Sequence, residues 1–256
     1  SNTILDKIMI NENIIKIVQK LLNNDEILLI QADAWGKKGS NDFGDSSNND
    51  QRMHMDYGNN SFLHPSYWGN PECVAIIIYL SNINDTLGGT SIVPKNKNTH
   101  TLYNFPYKNM PGISENPFYN DKNSAETYFE KNNKKVYDFR QKLYKNEINL
   151  KPKAGDVLFY RLDLWHRGTP VKKDKIRFVI NLLYKKKECY WINCWNPGWT
   201  KNMYYGFLEQ FIINLSPKQR SVLGIPPPGD KYWNMHTIYL LKIRYPKIDI
   251  LPYVNN

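Results

Sequence analysis

The sequence predicts a mainly β protein with flanking helices, and three features carry that expectation. Near-continuous apolar, β-branched and aromatic runs at 73–82, 157–160 and 176–184 have the length and composition of strands, and Gly155-Asp156 is a turn dipeptide feeding the second. Ahead of them, Ile4, Leu5, Ile8, Ile14, Ile15, Val18, Leu21 and Leu22 form one apolar stripe and predict a helix over 4–22, stopped by Asn23-Asn24. Behind them lies a tail with helix caps and rigid turns.

In chain order, 27–35 reads as a strand. Residues 36–50 are rich in Gly, Ser, Asn and Asp, too polar to pack, and read equally as a lid or as a disordered loop. An extended stretch at 51–57 follows, and 73–82 is apolar enough to be buried on both faces. After Pro94 the pattern breaks. Residues 102–149 form an insertion, first a Pro- and Tyr-containing loop and then, over 124–144, a surface helix of alternating charged and aromatic residues. Such an insertion either governs substrate choice as a cover or serves as a structural flap. Beyond 187 come Trp191, Trp195 and Trp199, a helix near 203–215, Ser216-Pro217 as cap and first-turn proline of another, and Pro226-Pro227-Pro228-Gly229 as a rigid turn. This tail has the apolar content of a packed element, either an extension wrapped on the core or a dimer surface. The expected organisation is one domain over 1–256: an N-terminal helix in 1–26, a core over 27–186 with its insertion at 102–149, and a C-terminal extension over 187–256.

Within the predicted strands lies a candidate metal set. In an extended segment alternate side chains share a face, so His54 and Asp56, two residues apart, present an imidazole and a carboxylate to the same side. His166, from a distant strand, completes a facial triad of two nitrogens and one oxygen, the donor set of a non-haem iron with positions left for a co-substrate and dioxygen. Arg177 stands in the run Ile176-Arg177-Phe178-Val179-Ile180, where alternation groups it with Val179, Asn181 and Leu183. A guanidinium in so apolar a strand needs an anionic partner, and its planar fork suits a bidentate carboxylate.

His54-Met55-Asp56, Ile76-Ile77-Ile78-Tyr79-Leu80-Ser81, Gly88-Gly89-Thr90-Ser91-Ile92-Val93-Pro94 with His100 after it, and Ala154-Gly155-Asp156-Val157-Leu158-Phe159 leading to His166 and Arg177 together resemble the phytanoyl-CoA dioxygenase family of iron- and 2-oxoglutarate-dependent oxygenases, over about 27–186. The eleven-residue step from His166 to Arg177 is the family's own. The resemblance implies a double-stranded β-helix of jelly-roll, cupin-like type with a lid insertion and a helical C-terminal extension. It also implies Fe(II) held by His54, Asp56 and His166, 2-oxoglutarate gripped through its distal carboxylate by Arg177, with Thr169 as a weaker contact, and ascorbate as a further cofactor candidate. The implied reaction is dioxygenation, in the form of hydroxylation of a small or acyl-type substrate with release of succinate and CO2. Two departures stand out. Met55 replaces a frequent Gln, and Ile78 falls near an aromatic co-substrate contact of some members. Asp56 argues for oxygen transfer, since members lacking the acidic ligand halogenate. Gly88-Gly89-Thr90 and Gly168-Thr169-Pro170-Val171 are also similar to prolyl and lysyl hydroxylases. Tyr57, Trp68, Tyr79, Tyr160 and Trp165 are candidate cavity walls.

Composition bounds the remainder. At 256 residues, 41% hydrophobic and 14% aromatic, the chain can bury a sizeable core. No apolar stretch approaches the ~20 residues of a membrane span, and no charged-then-apolar leader precedes the first helix. Cys73, Cys189 and Cys194 have no zinc spacing and are odd in number, which favours a reducing intracellular compartment. The net charge of +10 raises the possibility of nucleic acid as partner, yet Lys172, Lys173, Lys175 and Lys185, Lys186, Lys187 read more simply as solvated strand ends. A base-repair dioxygenase would carry a second arginine six residues after the first, where Leu183 stands. An anionic small-molecule substrate uses the charge more economically; oligomeric state is left open. His64 is expected as an exposed loop histidine, His100 as a loop anchor, His236 at the start of the final helix without catalytic part, and Arg161 and Arg167 in salt bridges with Asp163 or another local acid. A cupin-like binding protein and a nucleic-acid-binding module are the non-enzymatic alternatives.

Overall fold

The computed structural model describes residues 7–40, 48–56, 63–64, 71–103, 110–113, 116–189, 192 and 207–254. Ile4, Leu5, Tyr57, Trp68, Trp191, Cys194, Trp195, Trp199, the middle of the 36–50 segment and the start of the helix expected near 203 lie outside the described residues. The chain divides into two compact units, Ser1–Gln51 with Gly69–Pro94 and Glu147–Cys189, and Arg52–Trp68 with Lys95–Asn146 and Tyr190–Asn256.

The first unit holds all the described strands: β1 Ile27–Lys38, β2 Cys73–Tyr79, β3 Thr90–Ile92, β4 Ile148–Asn149, β5 Val157–Tyr160, β6 His166–Gly168 and β7 Ile176–Lys186. They form two antiparallel sheets, ordered β1-β7-β2-β5 and β4-β3-β6, the two-sheet frame of a jelly roll. The alternation of β7 is decided by helix α1, Glu12–Leu22. Val18 and Leu22 of α1 pack on Val74, Ile76 and Ile78 of β2 and on Ile180, Leu182 and Tyr184 of β7. Arg177 and Val179 therefore belong to the opposite face.

Two expectations change here. The helix expected over 4–22 is regular only from Glu12, because Asn11 is extended and its side chain accepts from the N–H groups of Asn13 and Ile14, while Asn23 closes the other end at φ 49°. Residues 7–9 form a separate helical turn. Strand β1 runs three residues beyond the expected 35, so Gly36, Lys37 and Lys38 are paired with Phe178, Arg177 and Ile176 and are no part of a loop. Gly36 permits this, since a Cβ there would sit 3.0 Å from the Phe178 ring. The Gly88-Gly89 pair is equally forced: Gly88 has φ +73° and a Cβ on it would meet Val171 at 2.4 Å. Between β2 and β3 lies the short helix α2, Ile83–Thr86.

In the second unit the helix expected over 124–144 is two helices, α3 Lys122–Asn132 and α4 Lys134–Lys145. Asn133 separates them at φ −153°, and its side chain caps α4 by accepting from the Val136 N–H. Both helices bury an apolar stripe, Ala125 and Phe129 on α3 and Val136 and Leu143 on α4. The tail supplies α5 Phe207–Asn214, α6 Pro217–Val222, α7 Met235–Arg244 and α8 Leu251–Val254. Ser216 caps α6 and Pro217 stands in its first turn, as expected, and Gln219 completes a capping box with Ser216. His236 opens α7, which α8 follows, so that helix is not the final one. Among the described residues no helix is long and apolar enough to cross a membrane.

Candidate metal centre

The segment 51–56 is expected to be a strand and is not one. It carries no regular ladder; isolated backbone hydrogen bonds and side chains hold it together. Gln51 is held on both sides by Gly168, its N–H donating to the Gly168 carbonyl at 3.1 Å and its Oε1 accepting from the Gly168 N–H at 2.9 Å. Further along, the Arg52 N–H donates to the Asn120 carbonyl at 2.9 Å, the Met53 N–H to the Tyr144 hydroxyl at 3.0 Å, and Arg140 Nη2 to the Met53 carbonyl at 3.2 Å. Arg140 is in turn fixed by Glu126, 2.7 Å from Nη2, and Tyr144 donates to the same carboxylate at 2.8 Å. The insertion helices α3 and α4 therefore hold the backbone that carries His54 and Asp56.

Extended geometry at 54–56 still places the two side chains together, His54 Nε2 lying 3.7 Å from Asp56 Oδ1. His54, Asp56 and His166 are all buried, the first two in the second unit and His166 in the first. Both imidazoles are oriented in the same way. His54 Nδ1 is 3.1 Å from the Arg52 carbonyl and His166 Nδ1 is 2.9 Å from the Leu164 carbonyl. A carbonyl can only accept, so each Nδ1 carries the proton and each Nε2 presents its lone pair as the ligand atom. Two neutral imidazoles and one carboxylate are the donor set that suits non-haem Fe(II). The Tyr160 ring lies 5.1 Å from that of His166.

Arg177 is 4% exposed. Its Nη1 donates to the Gly88 carbonyl at 3.1 Å and its guanidinium lies 4.8 Å over the Trp35 ring, while Nε and Nη2 are buried without a hydrogen-bond partner among the described residues. Nε–H and Nη2–H form one edge of the guanidinium and point the same way, which is the geometry of a bidentate carboxylate contact. Burial pulls the Arg177 pKa down. Lys37, its partner across the ladder, is equally buried, with Nζ donating to the carbonyls of Asn49 at 3.0 Å and Thr169 at 2.9 Å. Burial first, and then the Arg177 charge, lower the Lys37 pKa to about 8. The sequence reading missed Lys37 because it ended the strand before Gly36; a lysine one turn of the pleat after Trp35 was the available signal. Thr169 commits its hydroxyl proton to the Gly89 carbonyl at 2.8 Å.

The remaining candidates divide. Arg161 meets Asp163 at 2.6 Å, as expected, whereas Arg167 is gripped not by a local acid but by Glu147, 2.7 Å from Nε, and by Asp50, both distant in sequence. Tyr79 is buried, donating or accepting at Thr90 Oγ1 over 2.7 Å, and Trp165 is fully buried. His100 is exposed at the start of a 3₁₀ turn, His100–Tyr103. His64, expected on the surface, is 1% exposed: its carbonyl accepts from the Tyr232 hydroxyl at 2.6 Å, and burial, with Arg244 and His236 beside it, holds its pKa well below the usual value. The tail segment that buries His64 is too far along the chain for local reading to have placed it there.

No curated protein matches the chain. Among solved structures it is similar to the epimerase SnoN in complex with Fe3+, alpha ketoglutarate and nogalamycin RO, at 12% identity over 72% of this chain and 59% of that one, TM-score 0.47. It is similar to the non-heme alpha ketoglutarate dependent carbocyclase SnoK from nogalamycin biosynthesis, at 14% identity over 68% and 55%, TM-score 0.45. It is also similar to HygX from Streptomyces hygroscopicus with nickel and 2-oxoglutarate bound, at 15% identity over 73% and 66%, TM-score 0.44. The chain spans about a third to two thirds of the length of the solved structures it matches. Residues 17–179, more than half of the chain, match the phytanoyl-CoA dioxygenase family, and the chain belongs to that family.

Proposed function

We propose that this chain is a Fe(II)- and 2-oxoglutarate-dependent oxygenase acting on a small organic substrate, with His54, Asp56 and His166 as iron ligands and Arg177, seconded by Lys37, as the receptor for the distal carboxylate of 2-oxoglutarate. The observation that carries the reading is the His54 and Asp56 pair, with Nε2 and Oδ1 3.7 Å apart, and the buried His166, both imidazoles presenting Nε2 as the ligand atom. Fe(II) with 2-oxoglutarate and dioxygen would supply oxidation of a substrate C–H bond, releasing succinate and CO2, and hydroxylation is the outcome proposed. The chain's own part is to bind and orient. The carbonyls of Arg52 and Leu164 fix the imidazole tautomers, and the Nε and Nη2 donors of Arg177 take a carboxylate in one fixed plane. Two buried cations with backbone carbonyls as their hydrogen-bond acceptors favour a dianion such as a dicarboxylate.

Anaerobic addition of Fe(II) and then 2-oxoglutarate tests the reading through the visible charge-transfer band of the chelate. A band in the native protein, absent in His54→Ala and Asp56→Ala, together with loss of succinate formation in both variants, is the expected result. Full succinate formation in either variant removes the assignment. A metabolite extract incubated with the protein, Fe(II), 2-oxoglutarate and dioxygen, searched by mass for the gain of one oxygen atom, identifies the substrate.

A further inference from the structure

Arg52 is buried as deeply as Arg177 and repeats its arrangement in a different element. It is 2% exposed, and burial, with the Arg140 charge nearby, lowers its pKa to about 10. Its Nη1 donates to Asn120 Oδ1 at 2.9 Å and its guanidinium lies 5.0 Å over the Phe118 ring. Nε and Nη2, the two donors of the bidentate edge, have no hydrogen-bond partner among the described residues. Neither of its cationic and acidic neighbours explains this. Arg140 is neutralised by Glu126, and the Asp56 carboxylate, which stabilises the Arg52 charge from a distance, is a member of the candidate metal group.

A guanidinium shut away from water with two unmatched donors loses hydrogen bonding that water would have supplied, a penalty that a bound carboxylate removes by filling both positions at once. Substitution by a hydrophobe of similar volume would avoid the penalty altogether, so an arginine at this position calls for an anion. One negative charge suffices. Asn120 and the Phe118 ring hold the guanidinium plane, and a planar monoanion matches the remaining edge better than a phosphate dianion, which would leave an uncompensated charge in a buried site.

We propose that Arg52 is a carboxylate-binding residue for the prime substrate, which therefore carries a carboxylate in addition to the position that is oxidised; this rests on the oxygenase reading above. The two open donors grip that carboxylate side-on, and Arg52, two residues before His54, anchors the substrate from the same segment that carries His54 and Asp56.

The test uses full-length protein with Fe(II) and saturating 2-oxoglutarate, without oxygen, and three probes: hexanoate, hexanamide and methyl phosphate. The Arg52 Nε–H resonance is identified by its loss in Arg52→Lys. Hexanoate is expected to move it downfield and to raise the melting temperature, with hexanamide doing neither. Binding of hexanoate should weaken roughly ten- to hundredfold in Arg52→Gln, the loss of a bidentate charge-assisted contact. The charge-transfer band should persist in that variant. Equal effects of hexanoate and hexanamide on native protein, or equal hexanoate binding by Arg52→Gln, overturns the proposal without touching the oxygenase reading. A response to methyl phosphate alone overturns the carboxylate assignment. Absence of the band in native protein overturns the oxygenase reading, while the Arg52 resonance still reports on the anion site. Arg52→Lys and the comparison of probes on native protein need no variant that removes the charge from the interior.

Discussion

Lys37 and Arg177 stand opposite each other on β1 and β7, two buried cations on one face of a sheet whose hydrogen-bond acceptors among the described residues are backbone carbonyls. Such a pair raises the energy of the folded chain until an anion arrives. Arg177→Gln is expected to raise the 2-oxoglutarate concentration needed for half-maximal binding roughly ten- to hundredfold, read by calorimetry on Fe(II)-loaded protein without oxygen. Lys37 adds a pH signature. Its folded pKa of about 8 lies below the ordinary lysine value, so between those two values the unfolded chain binds more protons than the folded one, and stability rises with pH. Lys37→Met removes that rise. Native protein should therefore gain stability relative to Lys37→Met between pH 8 and ~10.4, while its affinity for 2-oxoglutarate falls over the same range as Lys37 loses its charge, both measured by denaturant titration and calorimetry across pH. An identical pH profile in the two proteins would remove Lys37 from the site. At this scale the sequence was legible where chemistry is carried by residue type: His54, Asp56, His166 and Arg177 could be singled out without coordinates. Lys37 and Arg52 could not, because a lysine next to a polar loop and an arginine two positions before a ligand have no signature until burial is known.

At the scale of elements, hydrophobic periodicity placed β2, β5 and β7 and the helix that covers them, and it misplaced their ends. Residue Asn11 stops the first helix from running back to the start of its apolar stripe, and Asn133 divides what reads as one helix into α3 and α4; in both cases a capping side chain overrides a continuous pattern. Leu22→Ala, at the contact of α1 with the sheet, should cost ~2–5 kcal/mol in denaturant unfolding, and Asn11→Ala ~1 kcal/mol. The insertion shows why function could not be read from its sequence alone. Expected either as a cover or as a structural flap, it carries Glu126, Arg140 and Tyr144, whose hydrogen bonds hold the Met53 backbone beside His54. Glu126→Gln leaves Arg140 buried without its anion and should destabilise the protein by ~3–5 kcal/mol, with Fe(II) affinity falling alongside.

At the scale of the whole molecule, the two-sheet frame was predictable because strand runs, a Gly-Gly pair and the spacing from His166 to Arg177 agree with one another and with a known family. The tail was legible only locally. Its caps at Ser216 and Pro217 are as expected, but the burial of His64 by Tyr232 depends on a contact 168 residues apart in sequence. A metal that binds only the folded chain should stabilise it by ~2.7 kcal/mol at a hundred times its dissociation constant, so Mn(II) or Fe(II) is expected to raise the melting temperature and a chelator to reverse the gain, with no effect in Asp56→Ala. Asn48 and Gln51 are knitted to Val171 and Gly168, 123 and 117 positions further along. As the polypeptide leaves the ribosome, these early amides wait for partners that are not yet synthesised, and so Asn48 and Gln51 emerge long before the segment that braces them. Nascent chains shorter than about this span have nothing for these amides to close upon.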